Sequence, residues 1–387
     1  MPATEDFDLV VVGAGPAGSA AALAALRVRP GARVLLLDRS PLGRDKVCGD
    51  GIAPHAVAQL DALGVTGAVF PGEIVPRVRL VAPSGDGSSA VTSSPGYVVR
   101  RQVFDRRLAE AAIDAGATFA AHRVTSVATA DPSMLTVNDR WRAPVVIAAD
   151  GANSVVRRLV GAAANRGSAL AVALRGYAPT PPGQVAELTL RWDAQRAGGL
   201  CYAWAFPLSD GTCNVGYGMS SAAASGGRSH LVARLRALLP EFDLTGVHLA
   251  GHTLPLTVSR PRPAIGRVLL TGDAASLINP FTGEGIFSAL ASGALAGTAA
   301  LRDPATAAGE YTRQLGAQFG RQHRQTTALY PLLNYRAVLN AVIRACQGDR
   351  RNFDRLLEVG LGDSSFSAKD VVRFGRHLVH PPRKMDV

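Results

Sequence analysis

A strand, a glycine-rich turn, a helix and a second strand follow one another at the start of this 387-residue chain. Residues 7–12 (FDLVVV) form a continuous apolar run, which is typical of a strand buried on both faces. The turn GAGPAG follows at residues 13–18, and an alanine-rich helix is predicted from there to Val28. Residues 32–38 (ARVLLLD) predict the second buried strand. The pattern therefore predicts a βαβ unit with a glycine turn at the helix N-terminus.

The three glycines of this turn, Gly13, Gly15 and Gly18, fit a dinucleotide-binding fingerprint. They let the turn close, let the backbone approach a pyrophosphate and let the helix pack on the strand, while the helix dipole favours an anion. Asp38 ends the second strand, where a carboxylate can accept hydrogen bonds from ribose hydroxyls. FAD and NAD share this fingerprint, so it predicts a dinucleotide without choosing between them.

A second glycine-rich segment far down the chain separates the two cofactors. Gly272-Asp273 follows a short apolar run, and residues 280–286 (PFTGEGI) lead into a small-residue helix. An Asp at this place can hold the ribityl chain of a flavin, and a helix starting near Gly285 can aim free N–H groups at the N1/O2 edge of the ring. An NAD enzyme needs no such second cradle, so the sequence predicts FAD. An ordinary turn is the alternative.

A third strand-to-helix turn lies between these motifs. Residues 145–149 (VVIAA) predict a buried strand that ends in Asp150-Gly151. This turn is a further candidate for pyrophosphate contacts, with a simple helix cap as the alternative.

The pattern of apolar and polar residues in the rest of the chain indicates further domains. Short alternating segments between about residues 168 and 251 are typical of an antiparallel β-rich domain, and the chain beyond Pro304 is mostly helical in pattern. We expect an α/β fold with a Rossmann-like FAD domain, an inserted antiparallel β-sheet substrate domain and a C-terminal helical region. The expected bounds are 1–72, 98–166 and 260–303 for the FAD domain, 73–97 and 167–259 for the substrate domain, and 304–387 for the helical region.

Composition excludes several classes of protein. The net charge is +11, but no Lys/Arg-rich run with interleaved aromatic residues occurs, which argues against nucleic acid. The 4 cysteines form no CxxC, which argues against a metal or redox dithiol site. Acidic residues stand where a signal peptide would be basic, and the apolar stretch 286–301 is too short to span a bilayer. We expect a cytoplasmic protein.

Three further segments resemble the geranylgeranyl reductase family of flavoproteins, relatives of the aromatic hydroxylases of the para-hydroxybenzoate type, over roughly residues 7–300. Residues 46–51 (KVCGDG) are similar to the family's Cys-Gly-rich segment, and residues 202–207 (YAWAFP) to its YxWxFP motif. Residues 101–105 (RQVFD) resemble its Arg-x-x-Phe-Asp, whose arginine contacts FAD. Asp50 stands where the family commonly has glycine, a departure that bears on substrate choice more than on flavin chemistry.

The resemblance implies an FAD-dependent oxidoreductase that reduces isolated double bonds in prenyl chains of chlorophyll precursors, archaeal lipids or quinone tails. The texture is most similar to that of actinobacterial enzymes that reduce one double bond of the menaquinone tail. Because no second GxGxxG unit is present, the electron donor is either NAD(P)H, docking transiently, or a ferredoxin-like protein.

Four side chains are candidates for the reacting end of the site. Cys48, flanked by a glycine, can lie close to the isoalloxazine, and Tyr202, Trp204 and Phe206 alternate along a strand, so they face one side as an aromatic wall. Hydride transfer from flavin N5 to an alkene needs a proton at the other carbon, and Tyr202 and Cys48 are the candidate donors. An inert buried thiol and ordinary sheet core are the alternatives.

The residues expected to contact FAD come from all these motifs and their flanks. They are Gly13, Gly15, Pro16, Ala17, Gly18, Asp38, Arg39, Lys46, Cys48, Gly49, Arg101, Val124, Asp150, Gly151, Gly272, Asp273, Pro280, Gly283, Gly285 and Ile286.

Rival functions remain open at this point. A flavin monooxygenase, hydroxylating or epoxidising an aromatic or alkene substrate, would use the same fold, a flavin halogenase is more remote, and a non-catalytic flavin-binding lipid carrier is a different class. The arginine-rich C-terminal region either docks peripherally on the inner face of the cell membrane or forms a bundle that seals the substrate tunnel.

Overall fold

The computed structural model describes residues 4–193 and 201–379, and every element below lies within them. The strands are β1 (Glu5–Asp6), β2 (Leu9–Val12), β3 (Val34–Asp38), β4 (Gly51–Ile52), β5 (Ile74–Val81), β6 (Gly87–Val98), β7 (Thr118–Ala121), β8 (Val127–Asp131), β9 (Met134–Val137), β10 (Trp141–Ala143), β11 (Val146–Ala148), β12 (Leu170–Pro179), β13 (Glu187–Trp192), β14 (Cys201–Pro207), β15 (Thr212–Ser220), β16 (Ala250–Pro255), β17 (Ala264–Ile265) and β18 (Val268–Leu270). The α-helices are α1 (Pro16–Val28), α2 (Pro54–Ala62), α3 (Arg101–Asp114), α4 (Val155–Leu159), α5 (Gly227–Leu238), α6 (Ile286–Arg302), α7 (Ala307–Leu329), α8 (Arg336–Ala345), α9 (Arg350–Leu361) and α10 (Ala368–Val379).

The predicted βαβ unit is confirmed as the centre of a six-stranded sheet. Its order is β17-β18-β11-β2-β3-β7, and all neighbours are parallel except the edge pair of β17 and β18. Helices cover it, so every residue of β2 is buried, as a continuous apolar strand requires. Helix α6 crosses α1 so closely that a Cβ on Gly293 would lie 2.0 Å from the carbonyl oxygen of Ala17.

A second sheet has eight strands and lies in the part of the chain expected to form the substrate domain. Its order is β16-β12-β15-β14-β13-β5-β6-β4. Neighbours are antiparallel, as predicted, except β13 and β5, which run parallel. The parallel contact arises because two separate excursions of the chain, the β5–β6 hairpin and the later strands, join side by side in one sheet.

The two faces of this sheet have different neighbours. Along β14, Cys201, Ala203 and Ala205 pack with the buried side of α5, whereas Tyr202 and Trp204 belong to a cluster on the opposite face. The C-terminal helices close the region near that second face, where Phe353 and Phe374 pack against β5. The aromatic residues therefore face the interior between the sheet and the helices.

One feature was not apparent in the sequence. Strands β1, β10, β9 and β8 form a separate four-stranded sheet beside the central one. Helix α6, which contains the apolar stretch 286–301, is a buried core helix. Among the described helices, none combines the length and the apolar character that a bilayer crossing requires.

Candidate active site

A cavity of about 710 Å³ lies between the α/β domain, the aromatic face of the large sheet and the C-terminal helices. At one end its lining comes from the segments predicted to hold FAD: Pro16, Lys46, Cys48, Gly49, Arg101, Asp273, Gly283, Gly285 and Ile286. Tyr202, Trp204 and Phe206 also line it. The fold thus brings together, around one space, motifs that are distant in the chain.

The glycine turn is shaped by close backbone approaches. A Cβ on Gly18 would lie 1.7 Å from the carbonyl oxygen of Gly13, and one on Gly13 would lie 2.3 Å from that of Ala149. Gly13 also has a φ of +109°, which L side chains rarely adopt. Within the described chain no side chain caps the first turn of α1, which begins at Pro16. Its N–H groups therefore remain available to an anion.

Asp38 lies beside this turn at the end of β3. One carboxylate oxygen accepts from the amide of Ala14 and the other from that of Ser40, both at 3.0 Å. A carboxylate has about four lone-pair directions, so the group retains capacity for hydroxyl donors. The adjoining Arg39 and the core residue Val124 are not part of the cavity lining.

Asp150, Gly151, Gly272 and Pro280 also lie outside the lining, as do Gly13, Gly15, Ala17, Gly18 and Asp38. The carboxylate of Asp150 accepts from Ser154 and from the amides of Val155 and Val156 at 2.7 and 3.1 Å, so it caps α4. The helix-cap alternative therefore describes its side chain.

Lys46 and Asp273 meet across the cavity. The ammonium nitrogen lies 2.9 Å from Oδ2 of Asp273, and both side chains are largely buried. Burial acts to raise the pKa of Asp273, but the neighbouring Lys46 outweighs it, so the pKa is held below its ordinary value. The loop of Lys46 is thereby tied to the segment that leads into α6.

Arg101 is buried at the start of α3 and brings a cation to the same end. Its Nε and one terminal nitrogen each donate to Asp105 at 2.7 Å, and the guanidinium also interacts with the side chain of Cys48. Asp105 lies next to the glycine turn, since a Cβ on Gly15 would be 3.8 Å from its Oδ2. Cys48 is therefore close both to the aromatic wall and to a buried cation.

Glu284 and His252 are among the titratable residues of this cavity that sequence reasoning missed. Glu284 precedes α6 and accepts from the amide of Phe287 at 2.7 Å, so one of the N–H groups expected to be free is taken. Burial raises the pKa of Glu284 to about 7. The GEG sequence at residues 283–285 was the local signal that could have identified Glu284.

His252 on β16 is the second missed residue. Burial, followed by the charge of Lys46, lowers the pKa of His252 to about 4, so the ring is neutral. Its Nε2 has no hydrogen-bond partner among the described residues. No local signal identifies it, because only the pairing of β16 with β12 places it in the cavity.

The aromatic wall is held by polar contacts at its edges. The hydroxyl of Tyr202 donates to the carbonyl of Thr282, and the indole N–H of Trp204 donates to Asn214 at 2.9 Å. The two rings have centroids 6.0 Å apart, and Trp192 extends the row. Gly216 makes room for the indole, since a Cβ there would lie 2.1 Å from it.

Beyond the wall, the cavity is apolar. Its lining there is supplied by the sheet and by the C-terminal helices: Val78, Leu80, Leu188, Leu190, Trp192, Leu333, Leu339, Val342, Leu357, Phe366 and Phe374.

The chain is similar over most of its length to known proteins. Residues 8–385 match the family described as lycopene cyclase protein. The menaquinone reductase of Mycobacterium tuberculosis is 33% identical over 367 residues, covering 87% of this chain and 86% of the relative. Digeranylgeranylglycerophospholipid reductase 1 of Methanopyrus kandleri is 32% identical over 314 residues, covering 76% and 80%.

A solved structure shares the fold. The geranylgeranyl bacteriochlorophyll reductase-like protein of Thermoplasma acidophilum superposes with a TM-score of 0.79 at 24% identity, covering 96% of each chain.

Proposed function

This chain belongs to the geranylgeranyl reductase family of flavoproteins, and we propose that it is an FAD-dependent reductase that saturates a carbon–carbon double bond in the prenyl tail of a menaquinone. Its relatives are named as reductases of digeranylgeranylglycerophospholipid and of menaquinone, and both of these molecules carry prenyl chains. The menaquinone tail is the finer proposal, and the name of the mycobacterial relative supports it.

The observation that carries this proposal is the continuity of one cavity. The same space that is lined by the flavin motifs at Lys46, Arg101 and Asp273 extends along the aromatic wall into an apolar region between sheet and helices. A volume of about 710 Å³ lies in the range of small-molecule and cofactor sites. An apolar chain lying there would place an alkene next to the cofactor end.

The residues around the glycine turn fit FAD. The cradle between Gly13 and Gly18 is one that any Cβ would fill, and the uncapped start of α1 suits a pyrophosphate. Asp38 would hold the ribose, and Asp273 the ribityl chain. When bound and reduced, the flavin supplies a hydride from N5.

The wall and the helices keep water away from the alkene. Tyr202 and Trp204 are buried, and most of the cavity lining that the C-terminal helices contribute is apolar. Burial raises the pKa of Tyr202, whose hydroxyl is already committed to Thr282, so this phenol holds its proton too firmly to serve as the acid. We assign Tyr202 to the wall.

Cys48 remains as the candidate that delivers the proton. One alkene carbon takes the hydride, and the other takes the thiol proton; the thiolate then recovers a proton from solvent. Arg101, which interacts with Cys48, would stabilise the negative charge left on sulfur during this exchange. The net reaction adds one hydride and one proton across the double bond.

The source of the electrons is a separate proposal. The chain carries no second GxGxxG unit, so we infer a donor that docks transiently, either NAD(P)H or a ferredoxin-like protein. The net charge of +11 suits an acidic protein donor. Anaerobic bleaching of the flavin by NADPH, NADH or a reduced ferredoxin distinguishes the donors.

We further propose that the C-terminal helices rest on an anionic membrane. Val371, Phe374 and Leu378 line the cavity from one side of α10, and Val371 and Leu378 are also largely exposed. Lys369 and Arg376 belong to the same helix. A helix that exposes both apolar and cationic side chains suits a lipid surface that supplies a prenyl chain.

Flotation with liposomes tests this contact. Binding to anionic vesicles that weakens with salt and is reduced in Lys369→Glu/Arg376→Glu would support it. Equal recovery of the protein without and with anionic vesicles would contradict it.

Mass spectrometry of the product tests the proposed reaction. Purified protein with FAD, a chemical or enzymatic reductant and menaquinone should yield a quinone carrying two additional hydrogen atoms in its tail. A gain of one oxygen atom would instead show a monooxygenase. A product of unchanged mass but altered chromatographic retention would show a cyclase, and the absence of any product with any electron donor would show a binding protein.

A further inference from the structure

Asp50 is a buried acid in an unusual conformation. Its relative exposure is 0%, and its φ of +64° lies in the left-handed region that favours glycine. It stands in the Cys48 loop but does not itself line the cavity, whereas its neighbours Gly49 and Gly51 do. Both burial of a carboxylate and a left-handed backbone are unfavourable, so compensating contacts must hold the residue.

Three donors provide that compensation. The Asp50 carboxylate accepts from the hydroxyl of Tyr177 at 2.7 Å, from the side-chain amide of Asn214 at 2.8 Å and from the backbone N–H of Arg101 at 3.3 Å. Tyr177 and Asn214 are on strands β12 and β15 of the large sheet. Asp50 therefore joins the cofactor-side loop to the sheet that carries the aromatic wall.

Asn214 transmits this contact to the wall. The indole N–H of Trp204 can only donate, so the acceptor 2.9 Å away must be the carbonyl oxygen of the Asn214 side chain. The amide nitrogen then faces Asp50, and it also donates to the carbonyl of Cys48 at 2.9 Å. Each polar atom of Asn214 is thus used, and its orientation is fixed.

Arg175 supports the same loop from β12. Its Nε donates to the carbonyl of Cys48 at 3.2 Å, and a terminal nitrogen donates to the carbonyl of Lys46 at 3.2 Å. The guanidinium also lies 4.5 Å from the ring centre of Tyr177. These hydrogen bonds hold the loop backbone against the sheet. The approach is close, because a Cβ on Gly49 would come within 3.1 Å of Phe206.

We propose that Asp50 is a positioning residue which, through Asn214, fixes both the plane of Trp204 and the place of Cys48 in the cavity. A carboxylate suits this role because it accepts from all three donors at once. An amide at the same position would turn a donor toward at least one of them. The catalytic part of the inference rests on the proposed reductase function, whereas the structural part does not.

Alkylation of Cys48 tests the positioning directly. Cys48 is half-buried, whereas Cys201, Cys213 and Cys346 are buried, so the three buried thiols report any general loosening of the fold. In the FAD-loaded protein, Asp50→Asn should change the rate of Cys48 alkylation by iodoacetamide at least about fivefold, because one or more buried hydrogen bonds are lost. The rates at the three other cysteines should stay unchanged.

Steady-state kinetics adds a second readout. Asp50→Asn should lower kcat for the prenyl acceptor by about tenfold or more with a smaller change in KM, because the reacting groups are misplaced while the apolar tunnel is intact. Asp61→Asn, an exposed carboxylate on α2, is the matched control and should match the parent protein in both assays.

Tyr177→Phe removes one hydrogen-bond donor to Asp50 while keeping the aromatic ring. It is the second test variant if Asp50→Asn fails to fold. An unchanged Cys48 alkylation rate in well-folded Asp50→Asn and Tyr177→Phe would overturn the proposal. If the parent protein reduces no prenyl acceptor, the proposed function fails, but the alkylation rates still decide the role of Asp50.

Discussion

Lys46 and Asp273, 227 residues apart in the chain, form an ion pair with 2.9 Å between Nζ and Oδ2. Removing one partner leaves the other charge largely buried and uncompensated. We expect Lys46→Met to lower the free energy of unfolding by roughly 3 kcal/mol, measured by urea denaturation. The double variant Lys46→Met/Asp273→Asn should recover much of that loss. If the loss of unfolding free energy in the double variant equals the sum of the losses in the two single variants, the two residues are not coupled.

Helix α6 depends on glycines where it crosses α1. A Cβ on Gly293 would lie 2.0 Å from the carbonyl oxygen of Ala17, whereas one on Gly316 in α7 meets nothing within 4 Å. Gly293→Ala should therefore lower the melting temperature and release FAD, because backbone cannot yield to it. Gly316→Ala should stabilise the protein by up to about 1 kcal/mol. Calorimetry of both variants checks the contrast; equal effects would refute it.

The apolar half of the cavity can be filled without touching the cofactor end. Leu357 of α9 lines the cavity, and Val185, 59% exposed in a loop, offers a matched control. Leu357→Trp should reduce kcat/KM for a long prenyl acceptor by at least about tenfold while the flavin is still reduced by dithionite. Val185→Trp should behave as the parent. Undiminished turnover in Leu357→Trp would show that the tail lies elsewhere.

Cys48 is proposed to deliver the proton. Cys48→Ala should lower kcat by about a hundredfold, which is the usual scale of general acid catalysis. The FAD content, measured by visible absorbance, should be unchanged. Cys48→Ser keeps a weaker acid, so its kcat should lie between those of the parent protein and Cys48→Ala. If Cys48→Ala reduces the acceptor at the parental rate, water supplies the proton.

Glu284 should make stability depend on pH. Burial raises its pKa from 4.5 to about 7, so its contribution is fully present below about pH 4.5 and is lost as the pH rises through about 7. The difference in unfolding free energy between the parent and Glu284→Gln should change by on the order of 3 kcal/mol across this window.

Denaturation at a series of pH values measures that difference. Val185→Ala, an exposed substitution that changes no ionisable group, provides the control, with a flat difference expected. A flat difference for Glu284→Gln as well would show that its carboxyl titrates normally.

The motifs proposed to bind FAD were predictable because each is local. Gly13 directly follows β2, Asp38 ends β3 and Asp273 lies three residues after the end of β18, and the ends of parallel strands meet at one edge of a sheet. The alternation of Tyr202 and Trp204 likewise revealed a shared face.

Other parts of the site had no local signal. His252 enters the cavity through the pairing of β16 with β12, and Asn214 reaches Asp50 from a strand 164 residues away. The parallel contact of β13 with β5 depends on where two excursions meet.

The sequence by itself determined the βαβ unit that is proposed to bind the cofactor, since strand, turn and helix periodicities and glycine chemistry act over a few residues. Only the tertiary structure decided how Lys46 meets Asp273, how Asp50 holds the wall, and how far the apolar cavity extends. Those contacts join residues from different elements, and their free energies exist only once the sheets and helices have packed.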